Sequence, residues 1–327
     1  MKVSVFSAKK YDIESFERIA ADYGHEFIYE ETHLSTHSAK LAAGSDAVCI
    51  FVNDRGNANV LQMLADNGVK IVVLRCAGFN QMDLEAAKAL GMTVARVPAY
   101  SPQAVAEHAL AMMLTLNRKT HKAYNRVREG NFSLERLVGF NINGKTIGII
   151  GMGKIGLAFA KIMGGFGCTL LGYDPVVTEM PDYVQKVDLP ELFAQSDIIS
   201  LHCPLFPETQ HIINQAAIEQ MKPGVMIINT SRGGLVNTKD VIQGLKSGKV
   251  GHLGIDVYEQ EDKLFFRDLS ENVIQDDGIL RLMSFPNVLI TAHQGFFTRE
   301  ALSEIAHITM QNLNDARDGK RNGNFLV

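Results

Sequence analysis

The stretch Lys145–Pro175, KTIGIIGMGKIGLAFAKIMGGFGCTLLGYDP, decides the reading of this chain. The apolar run Thr146 to Ile150 has the length and β-branched content of a buried parallel strand. Gly151-Met152-Gly153-Lys154-Ile155-Gly156 follows at once, and Leu157, Phe159, Ala160, Ile162 and Met163 then recur at helical spacing. A second apolar run, Thr169 to Tyr173, stops at Asp174. Strand, glycine turn, helix, strand and terminal acid stand in the order a dinucleotide site requires. Gly151 permits the tight turn, Gly153 lets the backbone approach a pyrophosphate, and Gly156 lets helix and strand pack closely. The helix start, from Lys154 and Ile155, presents free N–H groups and a positive dipole end to phosphates. Asp174 lies 18 residues beyond Gly156, where a carboxylate accepts both hydroxyls of the adenosine ribose. That acid repels a 2′-phosphate, and Pro175 stands where an NADP-binding site often has a basic residue, so the cofactor expected is NAD.

Upstream, Val3–Phe6, His25–Tyr29, Ala47–Phe51, Lys70–Leu74 and Thr93–Arg96 read as short strands, separated by amphipathic stretches near 12–22, 57–67 and 83–90. Strands alternating with helices imply a mostly parallel sheet. Residues 1–100 thus form an α/β unit of their own, without a glycine-rich phosphate loop. The proline-marked joint Val97–Pro102 leads into a buried helix, Gln103 to Asn117, with polar helix expected to continue towards Arg128. Beyond the dinucleotide stretch, Ile198–Leu201, Val225–Asn229, Leu253–Val257 and Val288–Thr291 read as further strands, and Leu302 to Leu313 as a final amphipathic helix. If that helix returns to the first unit, the domains are 1–100 plus 298–327, for substrate, and 101–297, for the dinucleotide.

Composition excludes several classes of function. The 327 residues suffice for two cores, with 46% hydrophobic and 21% charged residues and a net charge of −4. There is no basic footprint for nucleic acid and no run of 18 apolar residues for a membrane. Cys49, Cys76, Cys168 and Cys203 have no metal-binding spacing, so the expectation is reduced thiols in a cytoplasmic protein with no structural metal.

Reactive residue types gather where the strands end, the place where open α/β sheets bind ligands. Ile198–Leu201 leads to His202-Cys203-Pro204, and Val225–Asn229 to Thr230-Ser231-Arg232-Gly233. Leu253–Val257 contains Asp256 and leads to Glu259 and Glu261, and Val288–Thr291 leads to Ala292-His293-Gln294-Gly295-Phe296. Singly, Arg232 reads as a salt-bridge residue, His293 as a core histidine and Glu261 as a surface charge; at three strand ends of one dinucleotide domain they read as a set. Reducing a 2-keto acid needs a carboxylate anchor, a proton for the ketone oxygen and a hydride. The arginine fork supplies the first, histidine the second, and a neighbouring carboxylate stabilises imidazolium.

The chain resembles the D-isomer-specific 2-hydroxyacid dehydrogenases. The resemblance is carried by Arg75–Asn80, Val97–Tyr100, the glycine turn with Tyr173–Pro175, Leu201–Leu205, Asn229–Gly233, Gly254–Glu259 and Thr291–Gln294. It implies two Rossmann-like α/β domains, one flavodoxin-like and one dinucleotide-binding, with parallel sheets and an active cleft between them, assembled as a homo-oligomer, dimer or tetramer. It implies Arg232 as carboxylate anchor, His293 as acid/base and Glu261 as its partner. Cys76, Ala77 and Gly78 would hold the substrate carboxylate through backbone N–H groups, with Tyr100 and Phe296 around the substrate tail. Asp256 would bind the nicotinamide carboxamide, and His202, Cys203, Pro204, Thr230, Ser231 and Arg232 would border the cofactor. The segment Asp262 to Pro286 resembles the lactate branch, so the activity implied is NADH-dependent reduction of pyruvate to D-lactate. A bulkier 2-keto acid such as phenylpyruvate or 2-ketoisocaproate is the alternative, and an NAD(H)-sensing corepressor-like protein a more distant one. In the substrate loop, Cys76-Ala77 departs from the pair that many relatives carry.

Overall fold

The apolar runs fold into two parallel sheets. The computed structural model describes residues 1–327 apart from the side chain of Lys263, and the chain divides into two compact units, Met1–Ser101 with Phe296–Val327, and Pro102–Gly295.

In the first unit, β1 (Lys2–Val5), α1 (Lys10–Tyr23), β2 (Glu26–Tyr29), β3 (Ala47–Ile50), α2 (Ala58–Asp66), β4 (Ile71–Leu74), α3 (Leu84–Ala89) and β5 (Thr93–Arg96) alternate. The sheet order is β2-β1-β3-β4-β5, parallel throughout, which is the flavodoxin-like arrangement. β3 and β4 are buried along their whole length, as apolar strands covered on both faces must be. Arg75, directly after β4, is 1% exposed. Its guanidinium reaches Asp12 at 3.2 Å and the carbonyls of Phe6 and Ser7 at 2.9 Å, so its charge is paired and its donors are used.

The second unit opens with α4 (Pro102–Arg118) and α5 (Thr120–Arg128). The sequence predicts one helix here, but the chain breaks at Lys119, which takes φ +51°. Lys119 Nζ donates to the Val138 carbonyl at 2.7 Å, and Asn117 grips Phe140 through both its side-chain atoms at 2.8 Å. The following loop thus anchors at the point where the helix ends.

Then come β6 (Thr146–Ile150), α6 (Lys154–Gly164), β7 (Thr169–Tyr173), β8 (Gln185–Lys186), α7 (Leu189–Gln195), β9 (Ile198–Leu201), α8 (Gln215–Gln220) and β10 (Val225–Asn229). They are followed by α9 (Thr238–Ser247), β11 (Val250–Ile255), α10 (Asp277–Met283) and β12 (Val288–Ile290). The sheet order β12-β11-β10-β9-β6-β7-β8 is the doubly wound dinucleotide-binding order, and it reverses between β6 and β9. β11 ends at Ile255, earlier than its apolar run predicts, which leaves Asp256 just past the strand.

Asp188, Asn214, Asn237 and Asp276 each cap a helix start through a side-chain oxygen, an arrangement worth about 1 kcal/mol apiece. The last helix, α11 (Arg299–Arg317), belongs to the first unit and packs along α1 and against β4 and β5. Beyond it the tail runs antiparallel to β5, with Leu326 N–H donating to the Val94 carbonyl at 2.8 Å and Arg96 N–H to that of Asn324 at 2.9 Å.

Candidate active site

The glycine turn fits a dinucleotide. Gly151 takes φ +95°, and a Cβ there would lie 2.4 Å from the Cys203 nitrogen; one on Gly156 would lie 2.0 Å from the Gly151 carbonyl oxygen. Only glycine closes the turn at these two points. Over Gly153, by contrast, a Cβ would meet nothing within 4 Å. The first turn of α6, starting at Lys154 and Ile155, has neither a side-chain cap nor an acidic residue. Open space above uncapped N–H groups is the cradle a pyrophosphate needs. Asp174 sits past β7 with Oδ2 accepting from Met152 N–H at 2.8 Å and Oδ1 from Val176 and Val177 at 2.9 and 3.0 Å. Burial works against its charge, but these N–H groups outweigh it and hold the carboxyl below its ordinary value. Pro175 beside it is exposed.

His202 turns into the core. Its ring packs on Phe159 at 5.0 Å and its Nε2 meets Ser200 Oγ at 2.9 Å. Burial pushes its pKa down to about 3 and Nδ1 is buried without a partner, so the imidazole is neutral and presents no nitrogen to a ligand. Cys203 is buried and its thiol is raised to about 11; with Pro204 it lines the reversal point through its main chain. Ser231 Oγ donates to the Cys203 carbonyl at 2.7 Å, and Thr230 is buried beside it.

Three strand-end loops bring Arg232, Glu261 and His293 forward within the second unit. Asn229, fully buried at the end of β10, shapes the first loop by accepting from Ser231 N–H at 3.0 Å and donating to the Arg232 carbonyl at 2.8 Å. Arg232 Nη1 bonds the Ser231 carbonyl at 2.7 Å; its Nε and Nη2 bond no described residue. A Cβ on Gly233 would lie 2.1 Å from the Tyr258 carbonyl carbon, so the Arg232 turn rests directly on the main chain leading to Glu261. Glu261 Oε2 accepts from Tyr258 N–H at 2.9 Å and Oε1 meets His293 Nδ1 at 2.8 Å. Among the described residues nothing bonds His293 Nε2, while Phe266 packs against the ring at 5.8 Å.

His293 holds φ +55°, a left-handed conformation that costs a non-glycine residue about 1–3 kcal/mol. Asp256 imposes it. The Asp256 carbonyl accepts His293 N–H at 2.7 Å, and its carboxylate accepts Gln294 and Gly295 N–H at 2.8 Å each. Thr291 Oγ1 stands 2.5 Å and His108 Nε2 3.3 Å from the same carboxylate. Burial opposes the charge, yet the bonds from His108 and Thr291 prevail and the carboxyl lies below its ordinary value.

That arrangement, a dinucleotide cradle with a histidine–carboxylate pair and an arginine fork at neighbouring strand ends, matches one family across the unit. The model of the D-isomer specific 2-hydroxyacid dehydrogenase NAD binding domain fits residues 110–295. The chain belongs to the D-isomer specific 2-hydroxyacid dehydrogenases. It is 53% identical to a D-lactate dehydrogenase of Escherichia coli over the full length of both chains. With a D-lactate dehydrogenase of Curvularia clavata it shares 52% identity over 100% of this chain and 95% of the other. The solved apo-structure of the Escherichia coli enzyme superposes with a TM-score of 0.91 at 50% identity, covering all of both chains. As a member of this family the chain is an NAD-dependent oxidoreductase.

In the first unit, Cys76 is buried, its thiol donating to the Gly78 carbonyl at 3.3 Å, and the Ala77 carbonyl is held by Arg96 Nη1 at 2.7 Å. Arg96 in turn lies 4.9 Å over the Phe79 ring. Tyr100 and Phe296 meet edge to face at 6.3 Å, and Phe51 joins them at 5.6 Å from Phe296.

Sequence reading missed two features. His108 lies within an apolar helix and looks like core filling, and no local signal marks it. His211 and Glu259, 48 residues apart, form a second histidine–glutamate pair at 2.6 Å. The glutamate's place two residues before Glu261 was the only hint.

Proposed function

We propose that the chain reduces pyruvate reversibly to D-lactate with NADH, His293 exchanging the proton. The observation that carries this reading is the His293–Glu261 pair at 2.8 Å, with Nε2 bonding no described residue, at a strand end of the sheet that also carries the glycine cradle. Glu261 accepts the hydrogen bond from Nδ1–H, so the proton exchanged with substrate is the one on Nε2. Arg232 offers its unbonded Nε and Nη2 as a fork for the substrate carboxylate, and its charge favours negative charge developing on the carbonyl oxygen. When bound, the reduced nicotinamide supplies the hydride. Asp174, ionised and placed past β7, accepts ribose hydroxyls and disfavours a 2′-phosphate. Asp256 is assigned to the nicotinamide carboxamide.

In the first unit the N–H groups of Cys76, Ala77 and Gly78 are assigned to the substrate carboxylate, and Tyr100 and Phe296 to its tail. That unit is the substrate domain and the second the NAD domain. Lactate as product is supported by the names of the relatives at 53% and 52% identity.

We also propose a homo-oligomer located in the cytoplasm. Tyr124, Val127, Phe132, Leu134 and Val138 are each at least half exposed within one short segment, more apolar surface than a lone chain tends to leave open. No described helix is long and apolar enough to cross a membrane.

The test is NADH oxidation by the purified protein with pyruvate, phenylpyruvate, 2-ketoisocaproate and hydroxypyruvate. The expected result is the highest kcat/KM for pyruvate, with a product oxidised only by a D-specific assay enzyme. A higher value for a larger acid changes the substrate and keeps the mechanism. Tight NADH binding without any turnover overturns the reading.

A further inference from the structure

The bonds around Asp256 leave one proton to be placed, and its position gives His108 a task. Thr291 Oγ1 stands 2.5 Å from Asp256 Oδ1. The carboxylate is ionised and has no proton to give, so the single hydroxyl proton of Thr291 lies on that bond. Met112 Sδ, 3.8 Å away, is too weak an acceptor to compete for it. Towards His108 Nε2, 3.1 Å away, Thr291 Oγ1 can then only accept, and Asp256 Oδ1 at 3.3 Å can only accept as well. The nitrogen between these two acceptors must carry a hydrogen.

We infer that His108 is a positioning residue for the reaction, its Nε2–H holding Thr291 and Asp256 so that Asp256 in turn fixes the His293 turn. This rests on the proton-transfer role proposed for His293.

The mechanical argument is specific. Asp256 is 1% exposed and receives three consecutive N–H groups, from His293, Gln294 and Gly295. Those bonds hold His293 in a backbone conformation it would not adopt unaided. His108 brings the rigidity of α4, whose Ala104, Ala106, Ala109, Met112 and Met113 are buried. Contact with the turn is close: a Cβ on Gly295 would lie 3.0 Å from Asp256 Oδ2 and 3.5 Å from His108 Cδ2. Without the Nε2–H, two buried acceptors lose a donor. Asp256 can then relax away from the turn, and His293 Nε2 loses its aim.

The experiment has two arms. The first is ¹⁵N-histidine NMR of the unaltered protein, which reads the tautomer directly. A hydrogen on Nε2 of His108 is expected; a bare Nε2 with the hydrogen on Nδ1 overturns the inference. The second compares His108→Leu, which has no donor, with His108→Gln, whose amide nitrogen reaches the Nε2 position.

His108→Leu is expected to lower kcat by about 10–100-fold, the cost of stranding buried acceptors, while KM for pyruvate moves by about threefold or less. His108→Gln should recover kcat to within about threefold of the parent. A leucine variant within about twofold of the parent overturns the inference. So does a glutamine variant no better than leucine when both keep the parental melting temperature. If the parent itself reduces no 2-keto acid, the function reading fails and the positioning role falls with it, whereas activity in the parent with a bare Nε2 on His108 overturns the inference alone. A leucine variant that does not fold leaves the spectrum and the glutamine variant as judges.

Discussion

Two histidine–glutamate pairs hang from the turn after β11, and among the described residues only one of them has a free end. His211 and His293 both take left-handed backbone, φ +52° and +55°, and both bond a glutamate of the same turn, at 2.6 and 2.8 Å. Glu259 also accepts Thr238 Oγ1 at 2.8 Å and Thr238 N–H at 3.3 Å, and His211 Nδ1 faces the Asn237 amide at 3.5 Å. Both ends of that pair are committed. His211 N–H also donates to the Gly234 carbonyl at 2.8 Å, so the pair fastens the Arg232 loop to its neighbours. In the other pair, His293 Nε2 bonds no described residue. Pairing with a carboxylate therefore does not by itself mark a proton donor, and the role proposed for His293 rests on the nitrogen that the pair leaves unspent.

The largest test of that contrast is His293→Ala. It is expected to cut kcat by about 10²–10⁴-fold with NADH affinity nearly unchanged, as measured by steady-state kinetics and fluorescence titration. Equal loss of both would move His293 from chemistry to structure. Arg232→Lys comes next, because a point charge replaces a fork. A loss of about 10–100-fold in kcat/KM for pyruvate is expected, and near-parental kinetics would sink two-point anchoring. His211→Ala should act more gently, raising KM by about two- to tenfold through the loosened Arg232 loop and leaving kcat within about threefold. A kcat loss rivalling that of His293→Ala would erase the distinction between the pairs.

The smallest effect separates them by pH. Burial disfavours the Glu259 charge, but bonds from Thr238 and His211 prevail, so its folded pKa lies below the ordinary 4.5. A depressed carboxyl pKa adds stability in full above 4.5 and loses it as pH falls towards the depressed value. Glu259→Gln should therefore lower Tm by about 2–4 °C at neutral pH, the shift expected for about 1 kcal/mol in a unit of this size. Calorimetry should show parent and variant converging on acidification. A gap that persists in acid would mean that packing, not charge, links Glu259 to the fold.

What could be read from the sequence was local. The glycine turn, the strand before it and Asp174 after it lie within one stretch, and each has a backbone reason to be what it is. Arg232, Glu261 and His293 could be grouped from the sequence because parallel strands deliver their ends to one edge, and the contact between the last two follows from it. Features that depend on distant partners were hidden. Lys119 breaks its helix because Val138 and Phe140 claim that point of the chain. Arg75 has its charge partner in Asp12, 63 residues earlier. His202 reads as a site residue beside the cofactor loop, yet its ring is drawn inward by Phe159 and Ser200. His108 meets Thr291 across 183 residues, and no periodicity announces that.

The tail that lies along β5 has a consequence for handling the protein. A bare outer strand offers unpaired N–H and C=O groups to any other strand in solution. Here residues 324–327 occupy those groups, with the Asn312 side chain bonding the Arg96 carbonyl at 2.9 Å behind them. These residues thus act as a guard against sticking. Trimming them, or forcing a fusion partner against them, is expected to show first as clouding and light scattering.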